Sequence, residues 1–335
     1  MSKVFDLYKE IGGAFGPSGR EDAVREAIAA VAGAYIDEIT TDALGNLICR
    51  KKGTGKKLLF AAHMDSIGLV ATFIDEKGFV RFSQVGGLFH GDLIHTRVRF
   101  ANGTRGVISY EEKTPFKSLG MDNLFLDIGA KSRAEAEQLI EVGDFAVFDA
   151  PCFEQNGVIC GPYLDNRIGC VTLLLLLEQL GQETPENDLY FVFTAQEEVG
   201  LRGAGAAAFA VEPDAAVAVD VTDTGDLPER KTPMAVKLGG GPAVKVMDRS
   251  VICTPALRVA LELAAADCGI HTQREILQFG GTDTAALQKA RAGVPAGAVS
   301  IPTRYIHSPS ELCAVSDVEQ TAQLLARFAS KALNI

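Results

Sequence analysis

Two hydrophobic periods divide the chain. Val24, Ile28 and Val31 recur at the spacing of one helix face, and Ser18 followed by Glu21 reads as a capping box ahead of them. Short strands are expected around Thr40 to Cys49 and Lys57 to Ala62. From about Leu69 to about Ile159 the runs shorten and alternate, as in Phe79-Val80-Arg81-Phe82 and Thr96-Arg97-Val98-Arg99-Phe100. Turn signals at Glu76-Lys77-Gly78 and Asn102-Gly103 separate them. One helix is expected inside this region, opening at Ser132 with Glu135 behind it.

After Asp165 the longer period returns. Ile168 to Leu180 predicts a largely apolar helix. Leu189 to Phe193 and Ala216 to Val219 are continuous apolar runs, the pattern of strands buried on both faces. Thr254-Pro255 opens a further helix with Gly269 beyond its end, and Ser316 with Glu319 opens the last one. The expected fold class is α/β, a mostly parallel mixed sheet with helices on both faces. Residues 1–68 and 160–335 would form this domain, and 69–159 an inserted small β-rich domain.

Composition narrows the function. A net charge of -11 offers no basic stripe for displacing phosphate counterions, so nucleic acid is not an expected partner. The most apolar stretch, Val171 to Leu177, is too short to span a bilayer, and the N-terminus shows no signal-peptide pattern. The seven cysteines are odd in number and contain no Cys-x-x-Cys pair. Reduced thiols in a cytoplasmic protein are expected.

The chemistry lies in polar residues near apolar runs. His63 and Asp65 follow Leu-Phe-Ala-Ala, and their spacing of two puts them on one face of a strand end. Asp65 can thus orient the His63 imidazole while the other ring nitrogen meets a metal. Glu197 and Glu198 follow another apolar run; neighbours on an extended backbone diverge, so one can bind metal while the other accepts a proton. Asp165 and Asp220 have no adjacent basic residue except Arg167, and a carboxylate buried there needs a cation. Each of these also reads as a solvated loop or strand end when taken alone. His307 stands out from His90, His95 and His271 only through its company. The glycines after Val199 lack phosphate-loop spacing.

In order and spacing these motifs resemble the cytosolic metallo-aminopeptidases that include glutamyl aminopeptidase, the tetrahedral (TET) aminopeptidases and the cellulase-M or endoglucanase homologues. The resemblance runs from Ala14-Phe15-Gly16-Pro17-Ser18-Gly19 through Ala62-His63-Met64-Asp65, Leu164-Asp165-Asn166-Arg167 and Thr194-Ala195-Gln196-Glu197-Glu198. It closes with Gly280-Gly281-Thr282-Asp283 and Tyr305-Ile306-His307-Ser308-Pro309. It implies a di-zinc exopeptidase fold and two divalent metal ions, zinc foremost, with cobalt or manganese able to take the same ligands. By the resemblance, His63 and Asp220 are terminal ligands of one ion, Glu198 and His307 of the other, and Asp165 bridges. Glu197 is the general base, Asp65 the partner of His63, and Gly281 and Thr282 contact substrate. A cis peptide bond after Asp165 is implied as well.

The implied activity is release of N-terminal amino acids from short peptides through a water activated by both ions. The implied assembly is a homo-oligomer, a dimer built by the inserted domain and in some members a dodecamer. A related di-metal deacylase or carboxypeptidase remains an alternative. A glycosidase would need two carboxylates facing across a sugar, whereas Glu197 and Glu198 are adjacent, and the chain has no Trp for stacking.

Overall fold

The computed structural model describes residues 1–230 and 232–334. Among them, eleven strands form one mixed sheet. Its centre is four parallel strands in the order Asp188–Thr194, Lys57–His63, Ala215–Thr222 and Ala296–Arg304. These segments are buried almost throughout, which explains their unbroken apolar character. Antiparallel strands extend the sheet on both sides, Leu47–Lys51 and Glu38–Thr41 on one. Glu311–Ala314, Val158–Gly161 and Phe153–Gln155 follow in that order on the other.

Alternation along the central strands feeds two helix layers. Leu58, Phe60 and Ala62 join the core shared with helices Lys3–Gly12, Asp22–Ala32, Leu164–Leu180, Pro255–Asp267 and Val315–Ala329. Leu59 and Ala61 face the other way, onto helices Arg202–Val211 and Thr284–Gln288. The Leu164–Leu180 helix is apolar around most of its circumference because it is buried between the sheet and the C-terminal helix.

The alternating region closes into a barrel of strands Gly68–Ile74, Val80–Val85, Leu124–Asp127, Arg105–Tyr110, Arg97–Phe100 and Phe145–Phe148. Closure removes the free edges and encloses a separate core that includes Leu69, Val80, Phe100, Leu126 and Phe148. The barrel strands end at Phe148, and the hairpin of Phe153–Gln155 and Val158–Gly161 belongs to the large sheet. Ser132 caps the short helix Arg133–Ala136 by accepting the Glu135 N–H at 3.3 Å.

Two of the expected caps are not formed. The second helix begins at Asp22 after Glu21, because the Ser18 hydroxyl is taken by Asp65 at 2.6 Å. The last helix begins at Val315 directly after a strand residue, which leaves Ser316 inside its first turn. All seven cysteines are free thiols, with Cys49, Cys170, Cys253 and Cys313 buried. Among the described residues no helix is long and apolar enough to cross a membrane.

Candidate metal centre and active site

The polar residues singled out in the sequence converge at the C-terminal end of the parallel strands, where open α/β sheets bind ligands. His63 is the last residue of its strand, and Asp220 lies near the end of Ala215–Thr222. Glu197 and Glu198 follow the strand ending at Thr194, and His307 lies in the turn after Arg304. Asp165 opens the long helix with a non-helical backbone, φ -78° and ψ 106°, and its peptide bond to Asn166 is cis.

Asp165 stands at the centre, with one oxygen toward each histidine. Oδ1 lies 2.9 Å from His63 Nε2, and Oδ2 lies 3.2 Å from His307 Nε2. Around His63 Nε2 stand Asp220 Oδ1 at 3.6 Å and Glu197 Oε2 at 4.0 Å. Around His307 Nε2 stands Glu198 Oε2 at 3.2 Å. His63, Glu197 and Asp220 form one group of donor atoms within 4.8 Å of one another, and His63, Asp165 and Glu198 form a second.

This charge set is unbalanced. Four largely buried carboxylates face two imidazoles, and among the described residues no lysine or arginine pairs with any of the four. Burial pushes Glu197 well above the ordinary carboxylate range and raises Glu198 and Asp220. Burial acts on Asp165 in the same sense, but its hydrogen bonds to His307 and His63 prevail and hold it below the usual range. For the imidazoles, burial disfavours the cation, yet the surrounding carboxylates outweigh it. His63 is raised well above 6.5, and His307 is pushed up to about 12. Glu198 Oε1 is buried with no hydrogen-bond partner. Mixed imidazole and carboxylate donors, excess negative charge and an orphaned buried oxygen fit divalent cations.

The support around the cluster is long-range. The Asp65 carboxylate accepts the N–H of Glu197 at 2.9 Å and of Glu198 at 3.2 Å, besides the Ser18 hydroxyl. His63 Nδ1 lies 3.2 Å from the Asp65 carbonyl oxygen and 3.5 Å from its carboxylate, so the carbonyl is the nearer partner. Two features escaped the sequence reading. Glu311 is fully buried and accepts the N–H of Asp165 at 2.8 Å and of His307 at 2.9 Å. Gly86 and Gly87 bring the barrel against the cluster: a Cβ at Gly86 would stand 3.2 Å from Glu198 Cβ, and one at Gly87 3.3 Å from His307 Nδ1. The pair Gly86-Gly87 was the available signal.

The cluster opens into a cavity of about 780 Å³. Leu201, Leu227, Met234, Ile276, Leu277 and Phe279 supply apolar wall. Asp223 and Arg230 also line it and pair with each other, Arg230 Nη1 donating to Asp223 Oδ1 at 3.1 Å. Gly281 and Thr282 line it as well, but the Thr282 hydroxyl is turned inward, to Asp248 Oδ2 at 3.2 Å and Thr284 Oγ1 at 2.9 Å.

A covered α/β sheet with an inserted barrel and this donor cluster at its strand ends is the arrangement of a hydrolase with candidate metal ligands at its centre. The sequence profile of the M42 glutamyl aminopeptidase family matches residues 45–324, and the chain belongs to that family. A putative aminopeptidase of Acetivibrio thermocellus is 49% identical over 323 residues, 96% of this chain and 97% of the relative. The aminopeptidase APDkam598 of the archaeon Desulfurococcus kamchatkensis has a similar structure, with TM-score 0.94 and 36% identity, covering 98% of this chain and 94% of that one. The TET1 peptidase of Pyrococcus horikoshii, described as able to assemble into a tetrahedron or a large octahedral shell, gives TM-score 0.89 at 33% identity over 98% of this chain and 100% of that one. The chain is an aminopeptidase, acting on peptide N-termini.

Proposed function

We propose that the chain removes N-terminal residues from short peptides with two divalent ions held by the residues gathered at the strand ends. His63 and Asp220 would hold one ion, Glu198 and His307 the other, and Asp165 would serve both, one oxygen to each. Zinc suits imidazole and carboxylate donors, and cobalt or manganese matches the same set. Bound there, the ions supply Lewis-acid polarisation of the scissile carbonyl and lower the pKa of the attacking water.

The protein's own groups complete the chemistry. Glu197 takes the proton from the attacking water and passes it to the departing amine. Asp65 fixes the backbone of both glutamates and so sets where their carboxylates stand. Gly281 and Thr282 form part of the wall against which the peptide lies. The large sheet and its helices carry the catalytic machinery, and the barrel, residues 68–148, would build the dimer. The expected end of the insert at 159 moves back to Phe148, because Val158–Gly161 pairs with Glu311–Ala314 in the large sheet. A cytoplasmic setting suits the seven free thiols.

The observation that carries this reading is the pairing of four carboxylates with two imidazoles and, among the described residues, with no lysine or arginine, at the mouth of an apolar-walled cavity. The test is a panel of aminoacyl chromogenic substrates, free and N-acetylated, with metal-stripped protein and with zinc, cobalt or manganese restored. Metal-dependent cleavage confined to free amines is expected. Cleavage of the acetylated set would turn the reading to a deacylase.

A further inference from the structure

We propose that Glu311 is a positioning residue that locks the two halves of the metal centre into register. The proposal rests on the ligand roles given above to Asp165 and His307. Those residues are far apart in sequence, and they arrive at the site on different segments. Val158–Gly161 runs into the segment that carries Asp165, and Ala296–Arg304 runs into the turn that carries His307. The strand Glu311–Ala314 lies between these two and pairs with both, Gly161 opposite Glu311 and Arg304 opposite Leu312. Glu311 is its first residue, so its side chain sits where the two incoming segments leave the sheet.

The contacts use the whole carboxylate. Oε2 accepts the Asp165 N–H at 2.8 Å and Oε1 accepts the His307 N–H at 2.9 Å. Both anchored residues have backbone that does not hold itself. Asp165 is non-helical at a helix start, and His307 has φ 64°, a conformation a non-glycine residue keeps only when its surroundings enforce it. A carboxylate accepts at both oxygens, whereas an amide presents one acceptor and one N–H₂. Glu311→Gln therefore leaves one of the two backbone N–H groups facing a donor, with almost no change of volume.

A matched control exists elsewhere in the chain. Asp317 is also fully buried and also accepts two backbone N–H groups, from Gly239 at 2.8 Å and Gly241 at 2.9 Å, neither belonging to the cluster. Losing that clamp should cost stability without reaching the metal centre.

The experiment loads wild type, Glu311→Gln and Asp317→Asn with Zn²⁺. Bound zinc is measured against graded chelator, together with circular dichroism, melting, kcat and KM. Glu311→Gln is expected to keep its secondary structure, to hold zinc about tenfold to a hundredfold more weakly, and to lose kcat with KM nearly unchanged. Asp317→Asn is expected to melt lower and to hold zinc as wild type does. Wild-type zinc retention and kcat in Glu311→Gln would overturn the proposal, as would an equal loss of zinc in Asp317→Asn. Should Glu311→Gln not fold, Glu311→Asp keeps both oxygens but shortens the reach; weakened zinc binding is again expected, and full retention overturns the clamp. A wild-type protein that holds no zinc and cleaves without metal would instead bring down the ligand assignment, and the clamp with it.

Discussion

Glu197 and Glu198 are neighbours in the chain whose carboxylates serve opposite sides of the site. Glu197 Oε2 lies 4.0 Å from His63 Nε2, and Glu198 Oε2 lies 3.2 Å from His307 Nε2. Asp65 accepts both of their N–H groups, so the divergence is built into the backbone. The two glutamates should therefore fail differently. Glu197→Gln is expected to retain both ions and lose about 10² to 10⁴ in kcat, the range of a missing general base. Glu198→Gln is expected to lose metal first and activity as a consequence, partly restored by excess metal. Metal content measured beside kcat separates the two, and a fully active Glu197→Gln would refute the base assignment.

Removing the ions should also be felt in stability. The four carboxylates repel one another without them, and ions bound only to the folded state stabilise it by mass action. At a free ion concentration a thousandfold above Kd the contribution is about 4 kcal/mol. Chelation is then expected to lower the melting temperature by roughly 6 °C per ion for a chain of this size. Identical melting curves with and without chelator would count against a resident metal pair.

Metal uptake should expel protons. In the metal-free protein the carboxylates hold both imidazoles in the charged form, His307 up to about 12. A ligating imidazole must be neutral, so each ion displaces a proton. The sign follows: apparent metal affinity falls as pH falls, throughout the neutral range. Titration calorimetry in two buffers of different ionisation enthalpy measures the released protons. Heats independent of the buffer would show that the imidazoles do not change charge on loading.

The strand-end positions of His63, Asp220 and the glutamates were legible because buried parallel strands have a plain apolar signature, and polar residues beside it stand out. The barrel was legible as a change of period from about Leu69. Ser18 misled because a capping box is a local pattern, while its hydroxyl is used by Asp65, 47 residues away. Glu311 could not be read for the same kind of reason. Its role depends on two backbone groups, one of them 146 residues distant, that only the pairing of Gly161 with Glu311 brings together. The close approach of Gly86 and Gly87 to Glu198 and His307 likewise exists only once the barrel is closed against the sheet.

The cavity wall makes a prediction about the N-terminal residue. Its side chains are mostly apolar, and among the described residues its two opposite charges away from the metal cluster, Asp223 and Arg230, are paired with each other. A charged substrate side chain would have to break that pair or lie unpaired against Leu227, Met234 and Phe279. Burying an aliphatic side chain there stabilises the complex by about 1.5–3 kcal/mol. Leucyl and methionyl substrates are therefore expected to exceed glutamyl and lysyl ones by about tenfold to a hundredfold in kcat/KM. Unpairing the charges should redirect the choice. Asp223→Asn frees the Arg230 guanidinium and should improve glutamyl substrates, whereas Arg230→Met exposes Asp223 and should improve lysyl ones. Rates on the four substrates, compared across wild type and both variants, decide it. Equal kcat/KM values in wild type, or variants that leave the ratios unmoved, would place the side-chain pocket elsewhere in the cavity.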